Sequence, residues 1–492
     1  MSTAGDAGLE RNAVGLAPTL FQSITHMAPA AAVAFSIIVG VPYAGGAIPL
    51  AVLLALIACL LVAISIGQLA RHLPSAGGLY TYSSRGLGAP VGFLVAWGFM
   101  LAEPLVAPLL YLIFGNELAA NLNSHYGWPL WLWAPFAALA GLIVWGLTYR
   151  GVRLSTRTGV ALGVFEIVVF AALALTLIVA AGGNNTLAVF NPNTGNAHGL
   201  GSVFPGMIFA ILAFIGFEAA APLAEEAREP RKTIPRAVLL SALLIGLFYL
   251  LCYYAATVYF GPDKMADPKA GFITLNGGDP WTGLAQKVWG AGAVLVILAV
   301  LNSAIANSNA GANAATRVGY ALARIGLLPT ALQQIHPRFR TPYVAVNVQA
   351  VGGIVVALAL GFATGGPLNA FALLGTVATI IVVAIYILTN LSSMVFYMSE
   401  QRAEFNVFLH GLVPIVGSLI FLPALVAALG IDFGGLGITA LTPPANLAPL
   451  VIAVWMVVGV ILLFYFRARD PDRITETGRI FVDESESDTR TA

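Results

Sequence analysis

Phe214-Ile215-Gly216-Phe217-Glu218 sets a glycine and a carboxylate inside an apolar run, Val203–Leu223, that is long enough to cross a bilayer. Lipid offers no partner to an opened backbone or to a charge. Such a stretch is stable only where it faces a protein-lined cavity. A second run, Leu20–Val39, carries Met27-Ala28-Pro29-Ala30-Ala31 near its centre, where proline removes a backbone donor. Singly, each interruption reads as an ordinary kink. Together they fall in the first and sixth apolar runs, and interrupted spans at corresponding places in two halves point to the binding site of an inverted-repeat transporter.

Working outward, twelve runs approach the roughly 20 apolar residues that a crossing needs. They are Leu20–Val39, Ala47–Ala70, Val91–Leu112, Leu130–Leu147, Val160–Ala180, Val203–Leu223, Val238–Val258, Ala291–Ser308, Tyr343–Gly361, Ala370–Leu391, Val407–Leu429 and Leu447–Phe466. Composition agrees. Of 492 residues 59% are hydrophobic and 9% charged, with a mean hydropathy of +0.88. A soluble chain carries about 25% charged residues, so lipid is the solvent for much of this one. The net charge of +1 provides no basic stripe for nucleic acid. Cys59 and Cys252 sit inside apolar runs and read as small core residues.

Basic residues are retained on the cytoplasmic side of a membrane. With the N-terminus inside, one face receives Arg71, Arg85, Arg150, Arg153, Arg157, Arg228, Arg231, Lys232, Arg236, Arg317, Arg324, Arg338, Arg340, Arg402 and the C-terminal arginines. The other receives Lys264, Lys269 and Lys287. This alternation predicts a multi-pass protein of the cell membrane with both termini cytoplasmic. Residues 1–15 read as a polar cytoplasmic tail without a signal peptide, and 469–492, with the acidic run from Asp483 to Asp488, as a disordered one.

Three motifs then resemble the amino acid–polyamine–organocation permease family over nearly all of Leu16 to Ala468. Pro74-Ser75-Ala76-Gly77-Gly78-Leu79-Tyr80-Thr81-Tyr82 is similar to its P-x-x-G-G-x-Y-x-Y element. Gly216-Phe217-Glu218, Ala224-Glu225-Glu226 and Pro230 through Ile234-Pro235-Arg236-Ala237 resemble its G-F-[DE]…A-E-E…P…I-P-R-A signature. Arg317 to Arg324 with Gly326-Leu327-Leu328-Pro329 resembles its R-x-x-Y-A-x-A-R-[DE]-G-x-x-P element, with Ile325 in place of the acid. The resemblance implies an all-α membrane fold of the LeuT type. Two five-helix repeats, about 16–181 and 200–397, would be followed by two extra helices at about 405–468, all within one domain of residues 16–468. It also implies alternating access around a site between broken helices one and six.

No lysine or arginine lies in any of the twelve runs. A substrate carboxylate must therefore rest on backbone N–H groups and helix N-termini. The expected substrate contacts are Thr25, His26, Met27, Ala28, Ala30 and Ala31 on helix one and Phe214, Ile215 and Gly216 on helix six. Asn302 and Ser303 are added from the eighth run, whose Asn302, Ser303, Asn307, Ser308, Asn309 and Asn313 suggest a wet face or interhelical glue. Many family members carry G-x-G-I in helix one. Ala28-Pro29-Ala30 departs from that pattern and removes one donor.

Three carboxylates lie at membrane depth, Glu103, Glu166 and Glu218, where an acid costs on the order of 3 kcal/mol or more and is a functional candidate by default. Glu218, with Phe217, is assigned to gating. Alignment on Gly151-Val152-Arg153 and Ser155 places Glu166 where proton-coupled relatives often hold a lysine, which stands in for a sodium ion between helices one, five and eight. Glu166 is therefore expected to take part in proton coupling, with sodium the alternative ion. Glu103 is assigned to the substrate; the stretch from Trp97 to Glu103 looks like the acid-bearing third helix of putrescine importers.

The reading is thus a proton-coupled amino acid permease, with a polyamine or small-amine permease, or a transporter-like sensor, as alternatives. Rings of repeated polar residues, as in a channel, do not appear. Nor does a catalytic triad, a metal-spaced His/Cys group or a phosphate loop, so no enzyme activity, cofactor or metal is expected. The expected partners are a small-molecule substrate, the coupling ion and the lipid bilayer, with the oligomeric state left open.

Overall fold

The computed structural model describes residues 14–475 apart from positions 76, 152–155, 196, 225, 325, 432–437 and 471. Most of both expected tails, and Ala76, Val152, Arg153, Ser155, Glu225 and Ile325 of the motifs, lie outside the described residues. Of the C-terminal tail, Asp472–Thr475 form a helical turn whose Ile474 is buried beside Phe93 and Phe466.

Among the described residues, eleven helical runs are long and apolar enough to cross a membrane. The first, Leu16–His72, has 57 residues. At 1.5 Å per residue it measures roughly 85 Å against about 30 Å of hydrocarbon, enough for two crossings. Its backbone breaks at Gly45, with φ 52° and ψ −132°. Twelve membrane helices result. They are α1 (Leu16–His26, resuming after a break as Pro29–Ala44), α2 (Ile48–His72), α3 (Ala89–Tyr126), α4 (Trp133–Tyr149), α5 (Thr156–Ala181) and α6 (Leu200–Phe214, resuming as Phe217–Leu223). The others are α7 (Pro230–Phe260), α8 (Val294–Arg324), α9 (Tyr343–Ala363), α10 (Pro367–Ser399), α11 (Val413–Leu429) and α12 (Ala448–Arg469). Hydropathy alone ends α3 at Leu112 and α8 at Ser308. Both helices run some fourteen to sixteen residues further, because their polar ends are held by packing on each other and on neighbours rather than by lipid.

The packing pairs recur five helices on. α2 lies on α7 and α3 on α8; α1 lies on α7 and α6 on α2; α3 lies on α10 and α8 on α5; α4 meets both α3 and α9, and α9 meets both α8 and α4. α11 and α12 stand outside this scheme, against α10 with α2 and α3 with α10 respectively. Trp97 and Trp455 clasp α12 to α3. Each indole N–H donates to the other's carbonyl at 2.9 Å, and the rings stack at 4.6 Å. Depth follows the same order: 83% of the apolar window is buried in α6 and α10, against 17% in α12, so α6 and α10 are core and α12 faces lipid.

One face gathers the basic loops. Arg85 pairs with Glu400 at 2.7 Å, His72 approaches Glu404 at 3.2 Å, and Arg317 approaches Glu226 at 3.5 Å. Val14 forms an isolated bridge with Ala227, and Arg473 donates to the Gly326 carbonyl at 2.8 Å. The two ends of the described chain and the loops after α2, α6, α8 and α10 therefore share a side. Lys264 lies at the far end of α7 from the exposed Lys232. Single cysteines placed at Lys232 and at Lys264 should react with a membrane-impermeant thiol reagent from opposite sides of a sealed vesicle. Labelling of both from one side would contradict this arrangement.

Candidate functional site

Both predicted breaks are present, and they touch. Helix α1 stops at His26, and Ala28 takes left-handed angles, φ 47° and ψ 68°, before Pro29 restarts the helix. Proline suits that first position, where its missing N–H has no helical partner to lose. The restart passes through a wide turn, Ala32–Ser36. Helix α6 stops at Phe214; Ile215 is extended and Gly216 has φ 115°, a region open to glycine. A side chain at Gly216 would also meet the His26 backbone at 2.8–2.9 Å. Glycine is required there twice over.

The backbone groups freed by the breaks find buried side chains. The Ser23 hydroxyl donates to the Phe217 carbonyl at 2.9 Å and accepts from the Ala220 N–H at 3.0 Å, tying α1 to α6. The Tyr249 hydroxyl on α7 sits between the Met27 and Ala213 carbonyls, at 2.8 and 2.9 Å, one from each broken helix. Four residues on, Tyr253 donates to the Val33 carbonyl at 2.7 Å, inside the wide turn. Glu218 accepts from the Gly216 N–H at 3.0 Å and from the Tyr386 hydroxyl of α10 at 2.8 Å.

Beside this junction lies a small cavity of about 40 Å³. His26, Met27, Ala28, Ile215 and Glu103 of the expected contacts line it. His26 Nε2 stands 3.7 Å from Glu103 Oε2, while His26 Nδ1 and that same carboxylate oxygen have no hydrogen-bond partner. The rest of the wall is largely apolar: Val106, Leu109, Leu110 and Ile113 on α3, Leu212 on α6, and Phe371, Ala378 and Val382 on α10.

Other expected residues stand behind the wall. Phe214 is fully buried, edge-on to Tyr249 at 5.4 Å. Thr25, Ala30, Ala31 and Gly216 support the breaks without lining the cavity, and Phe217 packs on Tyr386 at 5.2 Å. Asn302 and Ser303 are also off the cavity. Asn302 donates instead to Glu166 Oε1, and the Ala30 N–H approaches Glu166 Oε2 at 3.5 Å. Glu166 on α5 thus joins the restart of α1 to α8.

Several supports escaped the sequence reading: Ser23, Tyr249, Tyr253, Tyr386 and the α10 wall. Tyr249 and Tyr253, four apart on a helix bound for the core, did carry a signal, since a buried phenol hydroxyl needs a partner. Ser23 carried none. Asn307, one of the polar residues noted on α8, lines the cavity where Asn302 does not.

A family model described as amino acid permease matches residues 19–463. The low-affinity putrescine importer PlaP of Escherichia coli (strain K12) is 30% identical, covering 72% of this chain and 75% of the importer. The methylthioribose transporter of Bacillus subtilis (strain 168) is 24% identical over 86% of each chain. The branched-chain amino acid permease BcaP of the same organism is 26% identical over 62% of this chain and 66% of its own.

The geometry of the first break is open to a direct test. A left-handed alanine costs roughly 1–2 kcal/mol, partly offset in a glycine variant by the freer unfolded chain. Ala28→Gly should hold the thermal unfolding midpoint or raise it by up to about 1 kcal/mol in equivalent stability. Ala28→Val should lower it, and so should Gly216→Ala, which brings a methyl onto the His26 backbone. A glycine variant clearly less stable than the parent would argue against the left-handed turn.

Proposed function

Because the chain belongs to the amino acid permease family, we propose that it is a secondary transporter carrying a zwitterionic amino acid across the cell membrane by alternating access, coupled to protons. The observation that carries the coupling is Glu166, whose carboxylate holds the α1 restart through Ala30 and α8 through Asn302. A proton taken up there changes what this one group can accept from two helices that frame the site. Sodium remains the alternative ion, held by the same carboxylate.

The cavity wall supports the substrate class. Among the described residues no lysine or arginine lines the cavity, so a substrate carboxylate is received by backbone N–H groups at the breaks, which exchange their present internal acceptors for it. A modest apolar side chain fits among Val106, Leu109, Leu212 and Phe371. A second reading has its own observation. Glu103 Oε2 is unpartnered beside His26 and offers an anion to an ammonium group, and one relative is a putrescine importer. In both readings Glu218 and Phe217 link the α6 break to α10 and serve the gate.

The recurrence of packing pairs supports two five-helix repeats, at about 16–181 and 200–397, followed by two added helices. The gathered arginines support a cytoplasmic assignment for that face and both termini.

Reconstituted vesicles with an imposed pH gradient test the proposal. Glu166→Gln should abolish gradient-driven accumulation and retain substrate binding. Normal accumulation by the variant, or strict sodium dependence of the parent, would remove the proton assignment. In competition against labelled substrate, α-amino acids should inhibit. Inhibition by putrescine alone, lost tenfold or more in Glu103→Gln, would establish the amine reading instead.

A further inference from the structure

A second pair of acids lies away from the cavity, where α3 meets the short helix Pro280–Trp289 between α7 and α8. Glu117 is fully buried, and Asp279, the residue that caps that helix, is 2% exposed. The Asn121 amide nitrogen donates to Glu117 Oε1 at 3.1 Å and to Asp279 Oδ2 at 3.0 Å, so both carboxyl groups converge on one amide. Asp279 Oδ1 accepts from the Thr282 N–H at 3.2 Å. Among the described residues, no lysine, arginine or histidine forms an ion pair with either acid. The charge that Glu117 faces is Asp279.

Two neighbouring carboxylates without a counter-charge cost several kcal/mol each to bury. A positive charge must therefore accompany them. One shared proton would supply it, yet would leave oxygen atoms unanswered. Among the described residues Glu117 Oε2 and Thr282 Oγ1 are buried without a hydrogen-bond partner, and the Thr282 hydroxyl stands against both carboxyl groups. Two carboxylates and a hydroxyl make an all-oxygen donor set, with the Asn121 amide nitrogen holding the two acids together. If both carboxylates bind through two atoms, it offers about five oxygens, and one water would complete the six at the lower end of what calcium takes. No nitrogen or sulfur ligand is present to favour a softer metal.

We propose that Glu117, Asp279 and Thr282, with Asn121 orienting the two acids, bind a hard metal cation, sodium or calcium, that pins the Pro280–Trp289 helix to α3. The consequence reaches the transport site. Trp281, fully buried next to the cap, packs on Tyr253 at 5.4 Å, and Tyr253 holds the Val33 carbonyl of the restarted α1. The cation thus fixes the seat of the outer half of a broken helix from outside the cavity.

Full-length protein, purified in detergent, stripped with chelator and held in choline chloride at constant ionic strength, provides the test. Sodium or calcium, added separately, should raise the unfolding midpoint saturably, because a ligand of the folded state stabilises by mass action. Whichever arm saturates at lower concentration names the ion. The shift should vanish in Glu117→Gln and Asp279→Asn, need at least tenfold more ion in Thr282→Val, and persist in Glu166→Gln. Indifference of the parent to both ions would overturn the site. So would a shift that survives both acid variants, one lost in Glu166→Gln, or stabilisation by acidification alone, which would leave the pair sharing a proton. The parent titration needs no variant, so a substitution that fails to fold does not remove the test.

Discussion

Opening a helix at the middle of a bilayer strands N–H and C=O groups where no water can answer them, at several kcal/mol apiece. This chain opens two, side by side, and the surrounding structure is arranged around meeting that cost. Several of the freed groups near the junction are met by fixed side chains: Ser23 for Phe217 and Ala220, Tyr249 for Met27 and Ala213, and Glu218 for Gly216. A single hydroxyl at Ser23 serves a carbonyl and an N–H at once. Its removal would leave two buried backbone groups unpaired, a loss of about 1–3 kcal/mol for each.

These ties bury the broken middle of α1 and α6, while α4, α9 and α12 meet lipid. Apolar residues on the outer helices gain little by burial, since lipid is as apolar as they are. Specific contacts hold them instead, as the reciprocal tryptophans do between α3 and α12. At the centre the controlling contacts are polar, and their geometry sets the backbone. Gly40 and Gly206 show the same economy of space on the outer halves, where a side chain at Gly40 would lie 2.8 Å from the Gly206 carbonyl oxygen.

The helices and the two breaks were legible in the sequence because both are written in residue type: long apolar runs, and proline or glycine where no soluble surface excuses them. The meeting of Glu166 with Ala30 and Asn302 was half legible. A mid-span acid announces itself, but which asparagine of four on α8 it takes depends on the rotation of that helix. Periodicity within a helix buried on several sides does not reveal this. The same limit placed Phe214 at the substrate and left Asn307 aside. Glu117 was missed for a different reason. Hydropathy closes the third span at Leu112, which leaves Glu117 outside it. It is buried because the Pro280–Trp289 helix folds over it, a contact some 160 residues distant in sequence.

The two acids of the central region are built differently, and the difference bears on what a proton can do. At Glu218 one oxygen, Oε2, receives both the Gly216 N–H and the Tyr386 hydroxyl. Protonating the other oxygen leaves those two bonds in place, so Glu218 can neutralise its charge without releasing the α6 break. At Glu166 the donors are divided, with Asn302 on one oxygen and Ala30 on the other. A proton on either oxygen competes with a donor already there. The 3.5 Å contact from Ala30 is the longer of the two and so the one that yields. Of the two carboxyl groups, Glu166 is therefore the one whose charge state bears on how firmly the restarted α1 is held, and that half-helix forms one wall of the cavity through Ala32 and Ser36.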